Sequence, residues 1–308
     1  MSGHDSTTVR FINMLQQHEL ITAAWQDYEL IDSGEDKKLE RFGTVLLDRP
    51  DTQALWRPGD TDVWNSAHAR YIHTDGKGLW HTKSSTPNEW NITWQNATFK
   101  LSKTNFKHIG IFPEQAANWE WIKEKISKSE SPKILNLFGY TGAASIVAAL
   151  AGAHVTHVDA SKQSLDWAHD NARLSNVPET SIRYIPDDAM KFAARDVRRG
   201  AKYEGIILDP PAFGRGLKGE VWKIEEHIIE LLQLMKQLLS DAPGSFFLLN
   251  GYAAGYSATS FKQLVESVFG DVSGEYGELH IAESKTVYST SLGQARTLPT
   301  GIYVRFVR

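Results

Sequence analysis

The stretch Asn136-Leu137-Phe138-Gly139-Tyr140-Thr141-Gly142-Ala143-Ala144-Ser145 lies between an apolar run and a segment rich in small residues. The apolar run, residues 134–138, has the length of a buried strand, and the segment after it predicts a helix over 143–151. The two glycines between them allow a ligand to approach the backbone closely. The stretch therefore predicts a strand, a tight turn and a helix. A turn that only packs the helix against the strand explains the same glycine spacing.

The same alternation of short apolar runs and helical segments continues through the C-terminal half, which is typical of βαβ units and a parallel sheet. The fold class predicted is α/β, with a doubly wound, mostly parallel sheet of seven strands and an N-terminal region rich in β-structure and tryptophan. Strands are predicted at 134–138, 154–158, 182–185, 205–208 and 245–249, helices at 143–151, 162–175, 189–198, 220–240 and 258–269, and a closing antiparallel pair of strands at 277–282 and 301–307.

The two halves of the chain differ in composition. Eight of the ten tryptophans fall within the first 121 residues, where short runs are separated by Asp, Gly, Pro and Asn. We expect an N-terminal β-rich domain over 1–128 and a sheet domain over 129–308. The tryptophans fit either a core or a platform for stacking bases. The charged stretch 28–43 predicts a solvated surface turn.

Bulk composition removes several classes of function. The chain has 308 residues, 41% of them hydrophobic, and no cysteine, which excludes thiol nucleophiles and thiolate metal sites. The histidines show no paired spacing of metal ligands, so no metal is expected. A net charge of −4 argues against broad electrostatic capture of nucleic acid. Without a long apolar run or a secretory signal, we expect a cytoplasmic protein and no membrane partner.

Acidic side chains follow the predicted strands at the edge where open α/β sheets bind ligands. Asp159 ends the second strand, twenty residues after Gly139, a separation that suits hydrogen bonds with ribose hydroxyls. Asp188 follows the third strand, where it could meet an adenine amino group or simply cap the next helix. The fourth strand runs into Asp209-Pro210-Pro211-Ala212-Phe213, which fixes a carboxylate and a carbonyl beside an aromatic ring, or forms a rigid turn with a core phenylalanine. Together these features predict a nucleoside-binding crevice.

These motifs, in this order, resemble the bacterial 23S ribosomal RNA methyltransferases of the cytosine-C5 and guanine-N7 types, and the guanine-N7 branch more closely. The likeness runs from about residue 103 to residue 250 and includes Val158-Asp159-x-Ser161 and Asn171-x-Arg173-Leu174-Ser175-Asn176. The resemblance implies S-adenosylmethionine as cofactor in a class I methyltransferase sheet. The turn would lie beside the methionine part, Asp159 on the ribose and Asp188 on the adenine, under a covering loop near 103–116. The cofactor-binding residues it implies are Pro113, Gln115, Asn136, Phe138, Gly139, Tyr140, Thr141, Gly142, Asp159, Ala160, Ser161, Asp188 and Ala189.

The resemblance further implies that the segment after the fourth strand faces the methyl acceptor, so the catalytic residues expected are Asp209, Pro210, Pro211 and Phe213. For an exocyclic amine, the Asp209 carboxylate and the Pro210 carbonyl would accept the hydrogens and aim the nitrogen lone pair. Phe213 could stack on an unpaired base, and Arg215 and Lys218 could contact phosphate.

The chain departs from the cytosine-C5 branch in one respect. Those members carry a cysteine after the fifth strand, where this chain has Asn250-Gly251-Tyr252. Cytosine C5 becomes nucleophilic only after a thiolate adds to the ring, so the sequence argues against cytosine-C5 methylation. The leading hypothesis is a methyltransferase acting on a nucleobase nitrogen in RNA. The alternatives are a methyltransferase for a small molecule or protein side chain, a nicotinamide-dependent oxidoreductase, and a noncatalytic RNA-binding module.

Overall fold

The computed structural model describes residues 14–74, 77–216, 219–252, 255–284 and 296–308. The five apolar runs of the C-terminal half form parallel strands that adjoin in the spatial order 182–186, 154–159, 133–137, 205–208 and 246–251. The antiparallel strands 297–307 and 274–282 follow beside the last of these. These are the seven strands that the sequence predicts. Their bounds are β10 (Lys133–Leu137), β11 (His154–Asp159), β12 (Ile182–Pro186), β13 (Gly205–Leu208), β16 (Phe246–Gly251), β17 (Gly274–Ala282) and β18 (Thr297–Val307).

Helices cover both faces of this sheet, because its strands are apolar on both sides. Along β13, Ile206 packs into one core cluster and its neighbour Ile207 into the other. Among the helices, α2 contacts α1 and α3, and α5 contacts α4 and α6. The doubly wound arrangement is therefore confirmed. The helices are α1 (Ala116–Ile126), α2 (Ala143–Leu150), α3 (Lys162–Leu174), α4 (Ala189–Arg198), α5 (Ile224–Leu238) and α6 (Ala258–Phe269).

The helix predicted from residue 220 begins four residues later. Val221–Lys223 forms strand β15, which pairs with β14 (Phe213–Arg215) in a short antiparallel hairpin. The indole of Trp222 is buried against Phe138 and donates a hydrogen bond to the Pro211 carbonyl. Burial of the Trp222 side chain favours the strand over the helix that the sequence predicted for this segment. The same contact attaches the hairpin to the turn after β10.

Two short strands from the start of the chain extend the sheet. Strands β1 (Leu15–Gln17) and β2 (Leu20–Thr22) both pair in parallel with β17, so the sheet of the described residues has nine strands. The sequence did not predict these strands, because three-residue segments carry too little periodicity. The boundary near residue 128 remains a prediction, and the sheet includes strands from before it.

The N-terminal half is rich in β-structure, as predicted, and shares a core with the sheet domain. One continuous cluster joins Leu47, Ile92 and Trp119 to Ile134 and Ile146. Trp64, Trp94 and Trp119 are buried, which favours a packing role for the tryptophans over a stacking platform. The strands are β3 (Tyr28–Gly34), β4 (Lys37–Phe42), β5 (Val45–Pro50), β6 (Ala69–Thr74) and β7 (Lys77–Thr82) in one sheet, and β8 (Glu89–Trp94) and β9 (Ala97–Ser102) in a hairpin.

The prediction of a solvated turn over 28–43 is wrong. The segment forms the paired strands β3 and β4, and Asp32 and Glu40 are fully buried. Glu40 accepts hydrogen bonds from the Tyr28 hydroxyl and from the Arg49 guanidinium, which supplies the opposite charge that a buried carboxylate requires. Density of charge in a sequence does not distinguish a solvated loop from a buried network, because the compensating partner here is Arg49 on the next strand.

Candidate functional site

A cleft of about 1100 Å³ opens at the carboxyl ends of the parallel strands. Asp159 ends strand β11, Asp188 and Asp209 follow strands β12 and β13, and all three residues line this cleft. The sequence predicted that these acidic residues converge, and the structure brings them together. Ligand pockets usually measure roughly 300–1,000 Å³, so the cleft is large enough for a cofactor and part of a second molecule.

The turn after β10 has a strained backbone. Phe138 and Tyr140 have φ angles of 58° and 51°, and Gly142 has φ 86° at the start of α2. The left-handed conformation costs a residue with a side chain on the order of 1–2 kcal/mol, so the surroundings must hold it. The Gly139 N–H donates to Val158 O (3.1 Å), and the Gly142 N–H donates to Gly139 O (3.0 Å). These contacts fix the turn against β11 and place the rings of Phe138 and Tyr140 on the cleft wall.

The carboxylate of Asp159 is oriented by backbone groups. Its Oδ2 accepts the Tyr140 N–H and its Oδ1 accepts the Ser161 N–H, each at 2.8 Å. Burial raises the pKa of Asp159, while these two hydrogen bonds act in the opposite direction. Each oxygen keeps a further acceptor site, so the side chain can bind hydroxyl donors of a ligand in the cleft. The neighbouring Ala160 and Ser161 line the cleft as well.

A buried histidine explains why Gly139 has no side chain. A Cβ at this position would lie 2.3 Å from the ring of His157. The His157 Nδ1 is 2.9 Å from the Ser145 hydroxyl, which accepts a hydrogen bond from the Asn136 side chain at 2.8 Å. Burial lowers the pKa of His157 to about 4, so the ring is neutral. Only the packing of β11 against the turn identifies the supporting role of His157.

Asp188 caps a helix and also lines the cleft. Its Oδ1 accepts the Lys191 N–H at 3.0 Å as the N-cap of α4, which is the competing explanation weighed above. Asp188 and the following Ala189 also line the cleft. A carboxylate that caps a helix through one oxygen keeps the other oxygen for a ligand, so the two interpretations are compatible.

The segment after β13 brings a second buried acid to the cleft. Burial, together with the nearby Glu114 carboxyl, raises the pKa of Asp209 to about 7. No lysine or arginine of the described ranges lies within ion-pair distance of Asp209. Pro210 is buried behind it, while Pro211 reaches the cleft wall. Phe213 is 54% exposed on β14, so the alternative of a core phenylalanine is wrong.

The segment predicted to cover the cofactor forms one wall of the cleft. Its Phe112 ring lies between Tyr140 and Tyr252, with ring centroids 5.6 Å and 5.4 Å away. The backbone is tied to the sheet where the Thr141 hydroxyl donates to Gly110 O at 2.6 Å. Pro113 is buried in a short 3₁₀ turn over Pro113–Gln115. Beneath the turn, a small cavity of about 50 Å³ is lined by Gln115, Asn136, Gly139 and Thr141.

Most, though not all, of the expected site residues reach these cavities. Arg215 lines the cleft. The predicted residues Pro113, Gly142 and Pro210 line neither cavity, and Phe213 lies beside the mouth of the cleft on the hairpin. Lys218 lies outside the described residues. Within the described part of the chain, no group of histidines and acidic residues is arranged to hold a metal ion.

Two cleft residues and one residue close to the cleft were not predicted from the sequence. Trp222 and Tyr252 line the cleft, and the buried Glu114 lies close enough to raise the pKa of Asp209. Tyr252 was noted only as the residue near a missing cysteine, although its place after the fifth strand β16 is itself a signal. Trp222 and Glu114 are brought in by tertiary packing and have no local sequence signature.

The comparison with protein families agrees with this geometry. Residues 62–267 match the family described as S-adenosylmethionine-dependent methyltransferase. The chain is also similar to the ribosomal RNA large subunit methyltransferase K/L of Pseudoalteromonas translucida, with 33% identity over 156 residues, which is 50% of this chain and 21% of that protein. The protein of the same name from Shewanella sp. strain ANA-3 gives 33% over 153 residues. The chain thus spans about a fifth of the length of these curated relatives.

Solved structures extend the likeness to nearly the whole chain. The crystal structure of the SAM-dependent methyltransferase from Agrobacterium tumefaciens is 38% identical, with a TM-score of 0.88, over 97% of this chain and 96% of that one. SMU.776, described as a methyltransferase complexed with SAH, shares the fold at 19% identity and a TM-score of 0.66, over 91% of this chain and 76% of that one. The family match over two thirds of the chain, the 38% identity over nearly all of it and the acidic cleft lead to one conclusion: the chain belongs to the S-adenosylmethionine-dependent methyltransferase family.

Proposed function

We propose that the cleft binds S-adenosylmethionine beside a nucleobase of RNA and transfers the methyl group to a base nitrogen. The observation that carries the proposal is the convergence of Asp159, Asp188 and Asp209 on one cleft at three successive strand ends. Each of these three residues has its own proposed role, which follows from the hydrogen bonds that its carboxylate can accept.

The donors and acceptors of the cleft suit an adenosyl group. Asp159 and Asp188 offer carboxylate oxygens with acceptor capacity left, and ribose hydroxyls and an adenine amine are donors. Phe138 and Tyr140 provide apolar ring surface on the same wall. The further cofactor-binding residues proposed are Pro113, Gln115, Asn136, Gly139, Thr141, Gly142, Ala160, Ser161 and Ala189.

The proposed catalytic task of the chain is positioning. The bound cofactor supplies an electrophilic methyl group on a sulfonium, so no covalent intermediate with the protein is required. The Asp209 carboxylate and the Pro210 carbonyl accept hydrogen bonds from the nitrogen that receives the methyl group, and these bonds orient the lone pair of that nitrogen. Pro211 limits the freedom of this segment, and Phe213 offers a ring to an unstacked base at the mouth of the cleft. Positioning of this kind can contribute roughly 7–11 kcal/mol toward lowering a barrier.

RNA is proposed as the substrate because of the curated relatives and the rim of the cleft. Both relatives are named ribosomal RNA large subunit methyltransferases. Lys103, Lys107 and Arg215 line the cleft, and Phe106 on its edge is 69% exposed. Cations beside exposed aromatic rings suit phosphates and unpaired bases. No helix of the described residues has the length and apolar character needed to cross a membrane. A cytoplasmic location belongs to the same proposal, as does phosphate contact by Lys218.

Two measurements test the proposal. The protein is incubated with methyl-labelled S-adenosylmethionine and separate total RNA, protein and metabolite fractions, and we expect label in a base of RNA. Label only in metabolites or proteins would contradict the RNA substrate and favour those alternatives. Asp159→Asn removes a charged acceptor, which is worth about 1.5–3 kcal/mol, so cofactor affinity should fall roughly 10- to 100-fold. Asp241→Asn, an exposed acid before β16 at the opposite edge of the sheet, is the matched control and should bind normally.

A further inference from the structure

A buried polar network leads from the C-terminal strand to the small cavity beneath the first turn. It begins at Arg305 on β18, passes through Asn118 on α1 and ends at Asn250 on β16. All three side chains belong to residues that are nearly inaccessible, with exposed fractions of 6%, 1% and 4%. Buried polar groups are kept where their hydrogen bonds are paired, so the direction of each bond in this network follows from its first member.

The guanidinium of Arg305 is held in one position. Its Nε and Nη2 donate to the Glu275 carboxylate at 3.0 Å and 2.6 Å, and its central carbon lies 5.0 Å and 5.1 Å from the ring centroids of Trp121 and Tyr303. Its remaining nitrogen, Nη1, donates to Oδ1 of Asn118 at 3.1 Å. A guanidinium has donors and no acceptor, so the Asn118 atom that faces it must be the oxygen.

The contact with Arg305 sets the direction of the hydrogen bonds that follow. Asn118 donates from Nδ2 to Oδ1 of Asn250 at 2.8 Å and to Oε1 of Gln115 at 3.1 Å. Since the Asn250 oxygen accepts this bond, its Nδ2 lies on the other side of the amide. In the part of the chain that the structure describes, this Nδ2 has no hydrogen-bond partner, and it is reached from the small cavity that Asn250 lines. A deeply buried side chain thus presents a free donor to the cavity.

The other groups around the small cavity suit the two charges of an amino acid. Ala143 and Ala144 line it at the first turn of α2, whose N-cap Gly142 supplies no side-chain hydrogen bond. The N–H groups of such a turn carry partial positive charge and bind anions. Asn136 uses its Nδ2 in the core and keeps its oxygen, and the Asp209 carboxyl lines the cavity as well. These oxygens can accept hydrogen bonds from an ammonium group.

The small cavity lies at one end of the proposed cofactor site. Phe138 and Tyr140 line both the cavity and the cleft, and Asp159 accepts the Tyr140 N–H from the cleft side. A cofactor whose ribose binds Asp159 would run along this turn and bring its amino-acid end to the small cavity. The cavity, of about 50 Å³, has room for roughly three or four water-sized groups, which accommodates a carboxylate and excludes a nucleobase.

We propose that Arg305 is a positioning residue for the cofactor: through Asn118 it holds the Asn250 amide with its N–H toward the carboxylate of the amino-acid end. The inference rests on the proposed cofactor site and adds to it a residue that touches neither cofactor nor methyl acceptor. Without Arg305, the Asn118 amide is free to turn its oxygen toward Asn250. Asn250 would then turn as well and present its own oxygen, which repels a carboxylate.

The test compares S-adenosylhomocysteine with its analogue that lacks only the carboxyl group, by titration calorimetry on the full chain. The native protein should bind S-adenosylhomocysteine roughly ten- to a hundredfold more tightly, because hydrogen bonds to a carboxylate are charge-assisted. Asn250→Ala and Arg305→Met should each reduce this preference roughly fivefold or more. Both variants should bind the analogue as the native protein does, whereas general damage to the fold would weaken both ligands.

Two arginine variants serve as controls. Arg305→Lys keeps a group that only donates, so the Asn118 amide keeps its direction and most of the preference should be retained. Arg308→Met makes the same change as the test variant at the arginine that follows β18 and pairs with Asp241, and it should retain the preference fully. Should Arg305→Met not fold, Asn118→Asp replaces it: that side chain still accepts from Arg305 but cannot donate to Asn250, so the preference should fall.

Equal affinities of the native protein for the two ligands would mean that the Asn250 amide binds only water, and would overturn the inference. An unchanged preference in Asn250→Ala would do the same. A preference that is lost in Asn250→Ala but kept in Arg305→Met, or in Asn118→Asp in its place, would exclude the positioning role of Arg305. If the native protein binds neither ligand, the proposed cofactor site itself is wrong.

Discussion

At the scale of single residues, the unusual group is Asp209, a partly buried acid that forms no ion pair with a lysine or arginine of the described residues. Its pKa of about 7 means that the carboxyl is protonated in mildly acidic solution and ionised above neutrality. Enzymes place such groups where a proton or a hydrogen bond must be controlled near working pH. The titratable groups that lie near Asp209 are Glu114 and Tyr252. Desolvation raises the pKa of the Glu114 carboxyl and of the Tyr252 hydroxyl.

We expect methyl transfer to rise with pH through about 7. Protonation removes the acceptor that orients the substrate nitrogen, and the ionised fraction falls about tenfold for each pH unit below the pKa. The rate at saturating substrate should therefore drop below pH 7 in the native protein and vary little with pH in Asp209→Asn. Asp241→Asn should reproduce the native profile. A native profile that is flat between pH 5.5 and 8 would contradict the role of Asp209.

The sequence predicted Asp159, Asp188 and Asp209 because each stands at or shortly after the end of a predicted strand, and strand ends share one edge of a parallel sheet. It did not predict Glu114 or His157. The charges around Glu114 belong to Lys38, Glu40 and Arg49 on the N-terminal strands, and the ring of His157 fills the space beside Gly139. Residues of this kind are recognised only when the chain is folded, because their neighbours are far away in sequence.

At the scale of elements, the turn between β10 and α2 is supported from below by β11. Gly139 is required by contact and not by backbone conformation, since its φ is not positive whereas that of Gly142 is. Adding a side chain at Gly139 therefore tests its contact with the His157 ring. The apolar periodicity of the sequence was sufficient to predict α4 and α6, which begin and end at the predicted residues. Helix α5 begins later than predicted because Trp222 packs against Phe138.

Gly139→Ala should destabilise the protein by about 1–3 kcal/mol, because the new methyl group would meet the His157 ring at 2.3 Å and the core must shift. Chemical denaturation measures this loss. The cost should be smaller in a His157→Ala background, where the ring is absent. Gly214→Ala is the control, since its nearest atoms are 3.5 Å away. Equal costs of Gly139→Ala in both backgrounds would exclude the steric explanation.

At the scale of the whole molecule, the two ends of the chain meet in one sheet. Strand β18 lies between β16 and β17, and β1 and β2 cover the outer edge of β17. Leu15 and Leu20 on these short strands are buried. The first half of the chain thus contributes two strands to the large sheet in addition to its own β-rich layer. The sequence did not predict this pairing, because the paired strands are far apart in the sequence.

Removal of residues 1–23 should destabilise the protein and promote association. Each buried leucine contributes about 1.5–3 kcal/mol, and the nine-residue strand β17 would present an unpaired edge. A lower Tm and concentration-dependent sedimentation are the expected results. Removal of residues 1–13 alone keeps β1 and β2 and should have a smaller effect. A monomeric 1–23 deletion with native Tm would contradict the stabilising role of these strands.

Pairing between Leu15 and Gly274 also has a consequence during synthesis on the ribosome. The first strands emerge early, but the strand they join is translated near the end, and β17 needs β18 on its other side. At about 5–20 residues per second, these nascent segments wait many seconds before they find a partner. This edge of the sheet can therefore form only after β17 and β18 have emerged, so β1 and β2 stay without their native partner while the whole parallel sheet is being synthesised.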